Sequence, residues 1–492
     1  MLFNSYIFIF VFLPLTLIGY FGLNRAGKDK TAVLFLLLMN LGFAGFGSIY
    51  SLAVLLVNLL VNYALAGFIG RAGEKKRGKI LILGILFNLG ILFLFKYYNF
   101  FIVNVNSVFG SDLSLLHLAL PLGISFYTFG QIAYLVDCYK ENIGEGGSGI
   151  YSYSFLEYSA YVSFFPKLIQ GPIAYHDEVI PTLRDPQTKK ADFTNLSKGI
   201  YAFAQGLAKK VLLADTLAKI VNIGYNNIDA LDAGGAILVM VCYSLQIYFD
   251  FSGYCDMAYG IGYMLNIKLP VNFNSPYKAV SITDFWNRWH MTLTRFFTRY
   301  LYIPLGGNRK GKARTLINIM IVFLLSGLWH GANWTFILWG ALNGIVMVLE
   351  RILNVKEWRF LPGIRRVLTF VVSTFAWSIF RADSLSQAAS LWRRILSDGH
   401  EIYSPLADCF NELVEVSILH RAGLGGLIER YPCLLLLLFV IVLVLACFFM
   451  RNTQEKVESM QFTNRKAVVT VILMTWSIMS LSEISEFIYF NF

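Results

Sequence analysis

Charge is scarce in this chain. Asp, Glu, Lys and Arg make up 14% of its 492 residues, against 57% hydrophobic residues. A soluble globular protein carries roughly 25% charged residues. That shortage, with a mean hydropathy of +0.59, excludes a soluble enzyme and a disordered chain. Cysteine is also sparse. Cys138, Cys242, Cys255, Cys409, Cys433 and Cys447 are scattered without a CxxC pair, so neither a disulfide framework nor a metal site is expected. Internal repeats are lacking, and the one low-complexity stretch is a short GEGGSG connector at residues 144–149. The opening MLFNSYIFIFVFLPLTLIGY has no basic n-region and no small-residue cleavage site. It reads as a retained first helix and not as a cleaved signal.

What the chain has instead is long apolar blocks. Segments at residues 3–22, 31–47, 49–70, 80–95, 118–136, 316–329, 335–349, 367–379, 434–450 and 467–481 approach the length needed to cross a hydrocarbon core. The stretches 155–173, 199–221 and 236–263 are apolar but interrupted by Gly, Pro, Lys, Asp and Gln. They read as re-entrant or cavity-lining pieces, because irregular backbone at membrane depth must face protein or water. The expected class is therefore all-α, a polytopic integral membrane protein of about 10–12 helices plus re-entrant segments.

The 41 Lys and Arg exceed the 30 Asp and Glu, for a net charge of +11. In a multi-pass protein this excess marks loops retained inside and calls for no nucleic acid. Arg25, Lys28, Lys30, residues 71–79, residues 310–314, Arg365 with Arg366, and residues 451–466 are then cytoplasmic. Residues 382–432 and both termini fall outside. The scheme requires an even number of crossings between residues 139 and 309.

Ionisable groups within apolar segments are costly, about 2.5–3.5 kcal/mol at mid-bilayer, and three places accept that cost. His330 stands in SGLWHGANW between two apolar segments, flanked by Gly327 and Gly331 and by Trp329 and Trp334. Interhelical hydrogen bonding would explain it as well as chemistry would. In the stretch 282–312, Arg288, Arg295, Arg299 and Arg309 stand among aromatics, with Asp284, Asn287 and His290 between them. The spacing of Arg288, Arg295 and Arg299 predicts one helical face, either an interfacial anchor or a phosphate-binding surface. In the stretch 244–265, Gln246, Asp250 and Asp256 interrupt an aromatic run, as a proton site or as carboxylates paired with nearby arginines. FFPKLIQGPI, with Lys167 between two prolines, reads as a broken helix at a cavity wall. His117, His176, His400 and His420 read as loop or interface residues.

Seven stretches together resemble the membrane-bound O-acyltransferase family, in the polysaccharide-acetylating branch that includes the alginate O-acetyltransferase membrane subunit. They are MLFNSYIFIFVFLPL, PLGISFYTFGQIAYLVD, FFPKLIQGPI, KKVLLADTLA, IYFDFSGYCDMAYGIG, FWNRWHMTLTRFFTRYLYIPLGGNRKG and GLWHGANWTFILWGALNG, in the family's order up to about Asn343. The resemblance implies one membrane-embedded domain, residues 1–492, with N-terminal helices at 1–136, a catalytic core at 137–352 and C-terminal helices at 353–492. It also implies a tunnel through the membrane, with the acyl donor entering from the cytoplasm and the acceptor from outside. The family's GLWHG histidine falls on His330 and its WRRWH histidine on His290, with Asn287 where a basic residue is common.

On that resemblance, His330 is expected as general base and His290 as the group orienting substrate. Trp329, Trp334, Asn287, Asp250 and Tyr248 are expected to line the tunnel. Arg288, Arg295 and Arg299 are expected to hold the phosphates of acetyl-CoA, a donor substrate and not a permanently bound cofactor. An extracytoplasmic esterase-like (SGNH) acetyltransferase and a polysaccharide acceptor are the expected partners, at the bilayer of a bacterial plasma membrane. D-alanyl transfer to teichoic acid shares the FWxRWH stretch, but the YLYIPLGGNRKG continuation favours acetyl transfer. A proton-coupled transporter using His330, Asp250 and Asp256, or a non-catalytic scaffold, are the competing classes.

Overall fold

The computed structural model describes residues 1–141, 153–355, 358, 361–399, 402–481 and 487–488. The connector at 144–149 and His400 lie outside the described residues. Among the described residues every element is helical. The N-terminal helices are α1 (Leu13–Arg25), entered through a wider π-type turn at Phe8–Phe12, α2 (Asp29–Gly45), α3 (Ile49–Arg71) and α4 (Glu74–Leu92). Helix α4 runs through a second π-type turn, Phe93–Tyr97, into α5 (Tyr98–Phe109), and α6 (Ile124–Lys140) follows. Next come α7 (Phe155–Val162), α8 (Phe165–Leu168), α9 (His176–Arg184), α10 (Phe193–Ala208), α11 (Asp215–Asn226), α12 (Ala233–Met264), α13 (Ile282–Trp286), α14 (Met291–Phe297), α15 (Lys312–His330) and α16 (Trp334–Ile352). The C-terminal part has α17 (Pro362–Arg381), four short helices α18 (Leu385–Arg394), α19 (Ser404–Asn411), α20 (Val414–Leu419) and α21 (Gly425–Arg430), then α22 (Leu434–Phe449), α23 (Thr453–Glu458) and α24 (Asn464–Met479).

All ten apolar segments fold as helices. Seven helical stretches are long and apolar enough to cross a membrane, or eight if the pair bent by 98° at Val414–Arg430 and Leu434–Phe449 is one span. Six of the ten expected segments are among the seven, since α2 and α6 have 17 residues and α22 and α24 have 16, and the seventh is α12.

The expected break in residues 236–263 is absent. Helix α12 is continuous over 32 residues, and 83% of its apolar window is buried inside the protein. Its two carboxylates do not break it because each pairs with a lysine of a neighbouring segment. Lys210 Nζ donates to Asp250 Oδ1 at 2.8 Å and Lys209 Nζ to Asp256 Oδ2 at 2.6 Å. The partners are lysines and not the arginines expected. Residues 199–221 are likewise unbroken: α10 passes into α11 through a π-type turn at Lys209–Ala214, which carries both lysines. Glycines set the approach of the two helices, since a Cβ on Gly206 would lie 2.5 Å from the Gly253 carbonyl oxygen, and one on Gly199 2.5 Å from that of Gly260. Small residues at such a crossing allow close backbone packing in a membrane. The pairing is antiparallel, Gly199 meeting Gly260 and Gly206 meeting Gly253, and of the two only α12 is a stretch long and apolar enough to cross a membrane.

Residues 155–173 are broken as expected. Helix α7 stops at Val162, and Pro166 opens the single turn of α8. The extended backbone that follows donates from the Ile173 N–H to Thr292 Oγ1 at 2.9 Å, which ties this wall to the segment carrying His290. His176 is buried, with Nε2 3.4 Å from Asp137 Oδ2, and of the two expected places, loop or interface, it takes the interface, between α9 and α6.

Candidate active site

Helix α15 ends on His330 because Gly331 is extended and the chain reverses into α16 through Asn333, whose side chain accepts from the Thr335 N–H at 3.1 Å. The glycines around His330 admit protein rather than substrate. A Cβ on Gly327 would lie 2.3 Å from the Phe336 carbonyl oxygen, and one on Gly331 2.1 Å from the Phe336 ring. His330 is 3% exposed. Its ring packs edge-on against Trp339 at 5.2 Å and Phe380 at 5.3 Å, and against Trp329 at 4.8 Å.

His290 is 1% exposed and sits on the other side of Trp329, with ring centroids 6.2 Å apart. Its backbone is left-handed, φ +45°, and it separates α13 from α14. The Asn272 amide fixes its tautomer. Asn272 Oδ1 accepts from the Thr292 N–H at 3.2 Å and from Thr292 Oγ1 at 2.6 Å. The same oxygen faces His290 Nδ1 at 3.2 Å, so Nδ1 carries the proton and Nε2 keeps its lone pair. His290 Nε2, Trp329 Nε1 and Trp339 Nε1 are buried without a hydrogen-bond partner among the described residues. Buried polar atoms are nearly always paired, and these three lie around the histidine pair.

Two cavities meet at this point. One, of about 80 Å³, is lined by His330, Trp329, Phe126 and Lys96. A larger one, of about 720 Å³, is walled by Gly331, Asn333, Arg381, Asp383, Asp250 and Lys96. Its rim lies where α15 and α17 end, the side on which residues 382–432 are expected to be extracytoplasmic. A cleft of about 20 Å³ reaches Asn272 from the opposite direction and is lined by Asn452 and Gln454, which belong to a stretch expected inside.

The other expected site residues are placed as follows. Trp329 lies between the histidines. Trp334 does not join them: it is 52% exposed and its Nε1 donates to Asn104 Oδ1 at 2.9 Å. Asn287 is exposed. Asp250 lines the larger cavity in its ion pair. Tyr248 is buried beside Phe273, Tyr277 and Trp289, behind the His290 segment.

Arg288, Arg295 and Arg299 do not share one helical face, because the left-handed turn at His290 separates Arg288 from the other two. Each guanidinium is engaged by a carboxylate: Arg288 Nε with Asp284 at 2.8 Å, Arg295 NH1 with Glu178 at 2.5 Å, and Arg299 NH2 with Asp137 at 2.9 Å. Arg295 also stacks over Tyr175 at 4.2 Å. The Arg295 and Arg299 pairs brace α14 and the turn that follows it against α9 and α6. Arg295→Gln and Arg299→Gln are each expected to lower stability by about 1–2 kcal/mol, the value of a charged hydrogen bond reduced for partial exposure. Thermal unfolding and acetyl-CoA binding of the purified variants check this. Unchanged unfolding with binding at least about tenfold weaker would return both arginines to phosphate binding.

Sequence reasoning missed Lys96 and Asn272. Lys96 Nζ donates to the Trp329 carbonyl at 2.7 Å and the His330 carbonyl at 3.1 Å.

A helical, multi-pass membrane protein with two buried histidines at the meeting of cavities is a membrane acyltransferase by its class. The chain belongs to the membrane-bound O-acyltransferase (MBOAT) family, whose model matches residues 140–379. It is 36% identical to the peptidoglycan O-acetyltransferase of Helicobacter pylori over all of this chain and 98% of that relative. It is also 36% identical to the probable alginate O-acetylase AlgI of Pseudomonas aeruginosa, over 87% of this chain and 78% of that protein. The teichoic acid D-alanyltransferase of Bacillus subtilis is more distant, 27% identical over 53% of this chain and 68% of its own length.

Proposed function

We propose that this acyltransferase takes an acetyl group from acetyl-CoA at the cytoplasmic face and delivers it for O-acetylation of an extracytoplasmic polysaccharide, such as peptidoglycan or an alginate-like polymer, in a bacterial plasma membrane. The observation that carries the reading is the histidine pair: His290 and His330 flank Trp329, with a cleft at Asn272, the partner of His290, toward the side expected inside and a cavity bordered by Gly331 on the side expected outside. A hydroxyl attacking a thioester needs a base, and a positioned histidine supplies about 10²–10⁴-fold. His330 is that base, and His290 orients the reacting group through Nε2. The larger cavity receives the acceptor hydroxyl, either of the polysaccharide or of an esterase-like partner that passes the acetyl group on. Relatives named for O-acetyl transfer span most of the chain, which supports acetyl over D-alanyl. The ion pairs of Asp250 and Asp256 with lysines argue against a proton relay through these carboxylates.

Labelled acetyl-CoA supplied to inside-out membrane vesicles containing the protein tests the donor. Label is expected in alkali-labile esters on luminal polysaccharide. If no label enters from acetyl-CoA but label enters from a carrier protein charged with labelled D-alanine, the donor assignment fails.

A further inference from the structure

Lys96 is the intramembrane cation that the reading above leaves unused. It lies in the 36-residue apolar stretch Glu74–Phe109, within the π-type turn Phe93–Tyr97, a distortion frequent at functional sites. Of the buried lysines of the core, Lys210 has two carboxylates, Asp250 and Asp215, within 2.9 Å, and Lys167 lies over the Tyr161 ring at 3.9 Å. No carboxylate lies within ion-pair distance of Lys96 among the described residues. A cation at membrane depth without a counter-charge is held against a cost of about 2.5–3.5 kcal/mol on insertion scales.

Its ammonium has three donors. Two go to the carbonyls of Trp329 and His330, the last turn of α15, where a cation is favoured by the exposed carbonyl ends. Capping accounts for those two. It does not account for Lys96 lining both the cavity of about 80 Å³ that His330 also lines and that of about 720 Å³ bordered by Gly331.

We infer that Lys96 is a catalytic residue of the acyl transfer, its third N–H donating to the oxyanion formed at the thioester carbonyl. The inference rests on the acetyl-CoA and His330 reading. In the step, the acceptor oxygen bonds to the acetyl carbon as its proton passes to His330, and the carbonyl π pair moves onto oxygen beside Lys96. The oxyanion then collapses, the carbon–sulfur bond breaks with its pair on sulfur, and the thiolate takes the proton from His330. Lys96 keeps its protons throughout. The same ammonium that holds the His330 backbone thus balances the charge His330 helps to create.

Three substitutions in the full-length protein in nanodiscs separate this role from capping, with thiol release from acetyl-CoA as the readout and an N-acetylglucosamine oligomer as acceptor. Lys96→Arg retains charge and donors. Lys96→Gln retains donors without charge, and Lys96→Met retains neither. Removing one oxyanion donor costs about 10²–10³ in kcat. Gln and Met are both expected to lose at least about a hundredfold in kcat, with KM for acetyl-CoA within about threefold of wild type, and Arg to keep at least about a tenth of the activity. Near-normal turnover of Gln would reduce Lys96 to a helix cap and overturn the inference, as would near-normal turnover of Met. If Met does not accumulate, the comparison of Gln with Arg decides alone. Failure of the underlying reading is distinguishable: wild type itself would then release no thiol, whereas failure of the Lys96 role appears only in the variants.

Discussion

His330→Gln is expected to lower acetyl transfer by at least about a hundredfold, the contribution of a positioned general base, with the protein still present in the membrane. Glutamine keeps a hydrogen-bonding end and nearly the volume of imidazole, so the cage of Trp329, Trp339 and Phe380 has something to close on. Glutamine does not take up a proton near neutral pH. The backbone of residue 330 remains anchored, since Lys96 binds its carbonyl and not its ring. A structural histidine predicts a different result: activity would persist, or the protein would disappear from the membrane. The measurement is alkali-labile acetyl ester in the cell envelope beside membrane protein abundance in the same cells. Near-normal ester with His330→Gln would end the assignment of His330 as base.

His330 is legible as a candidate from its place between two apolar segments, although an interhelical hydrogen bond would explain that place equally well. Its surroundings are less legible. Trp329 and Trp334 flank it almost alike in sequence, yet the reversal at Gly331–Asn333 puts one between the histidines and the other at an exposed position against Asn104. The continuity of α12 was hidden because its carboxylates are neutralised by lysines 40 and 47 residues away, a distance that no local pattern reports. Without those partners, Asp250 and Asp256 in an apolar run argue for a break. The arginine spacing predicted a shared face only on the assumption of one helix, and the left-handed residue that breaks it is His290 itself. Lys96 directly follows the apolar segment 80–95, and only the helical stretch, which runs on to Phe109, places it inside the apolar run.

Loss of His290 is the second large expected effect, and Asn272 gives it a graded test. His290→Ala removes the imidazole and its unpartnered Nε2, and acetyl transfer is expected to fall by about a hundredfold, within the usual range for a positioned imidazole. The Asn272 carbonyl fixes which nitrogen keeps the lone pair. Asn272→Leu leaves the ring in place but deletes the acceptor opposite Nδ1, and the tautomer is then no longer specified. A loss intermediate between wild type and His290→Ala is expected. Asn272→Asp restores an acceptor oxygen at the same reach, so it should be more active than Asn272→Leu. Thr292→Val controls for packing, because it removes the hydroxyl bonds to Asn272 and to the Ile173 N–H while sparing the contact of Asn272 with His290. Envelope acetyl ester per unit of membrane protein reads all four. If Asn272→Leu matches wild type while His290→Ala is inactive, His290 acts without a fixed tautomer. If Thr292→Val is as poor as Asn272→Leu, the effect belongs to packing of the wall and not to the imidazole.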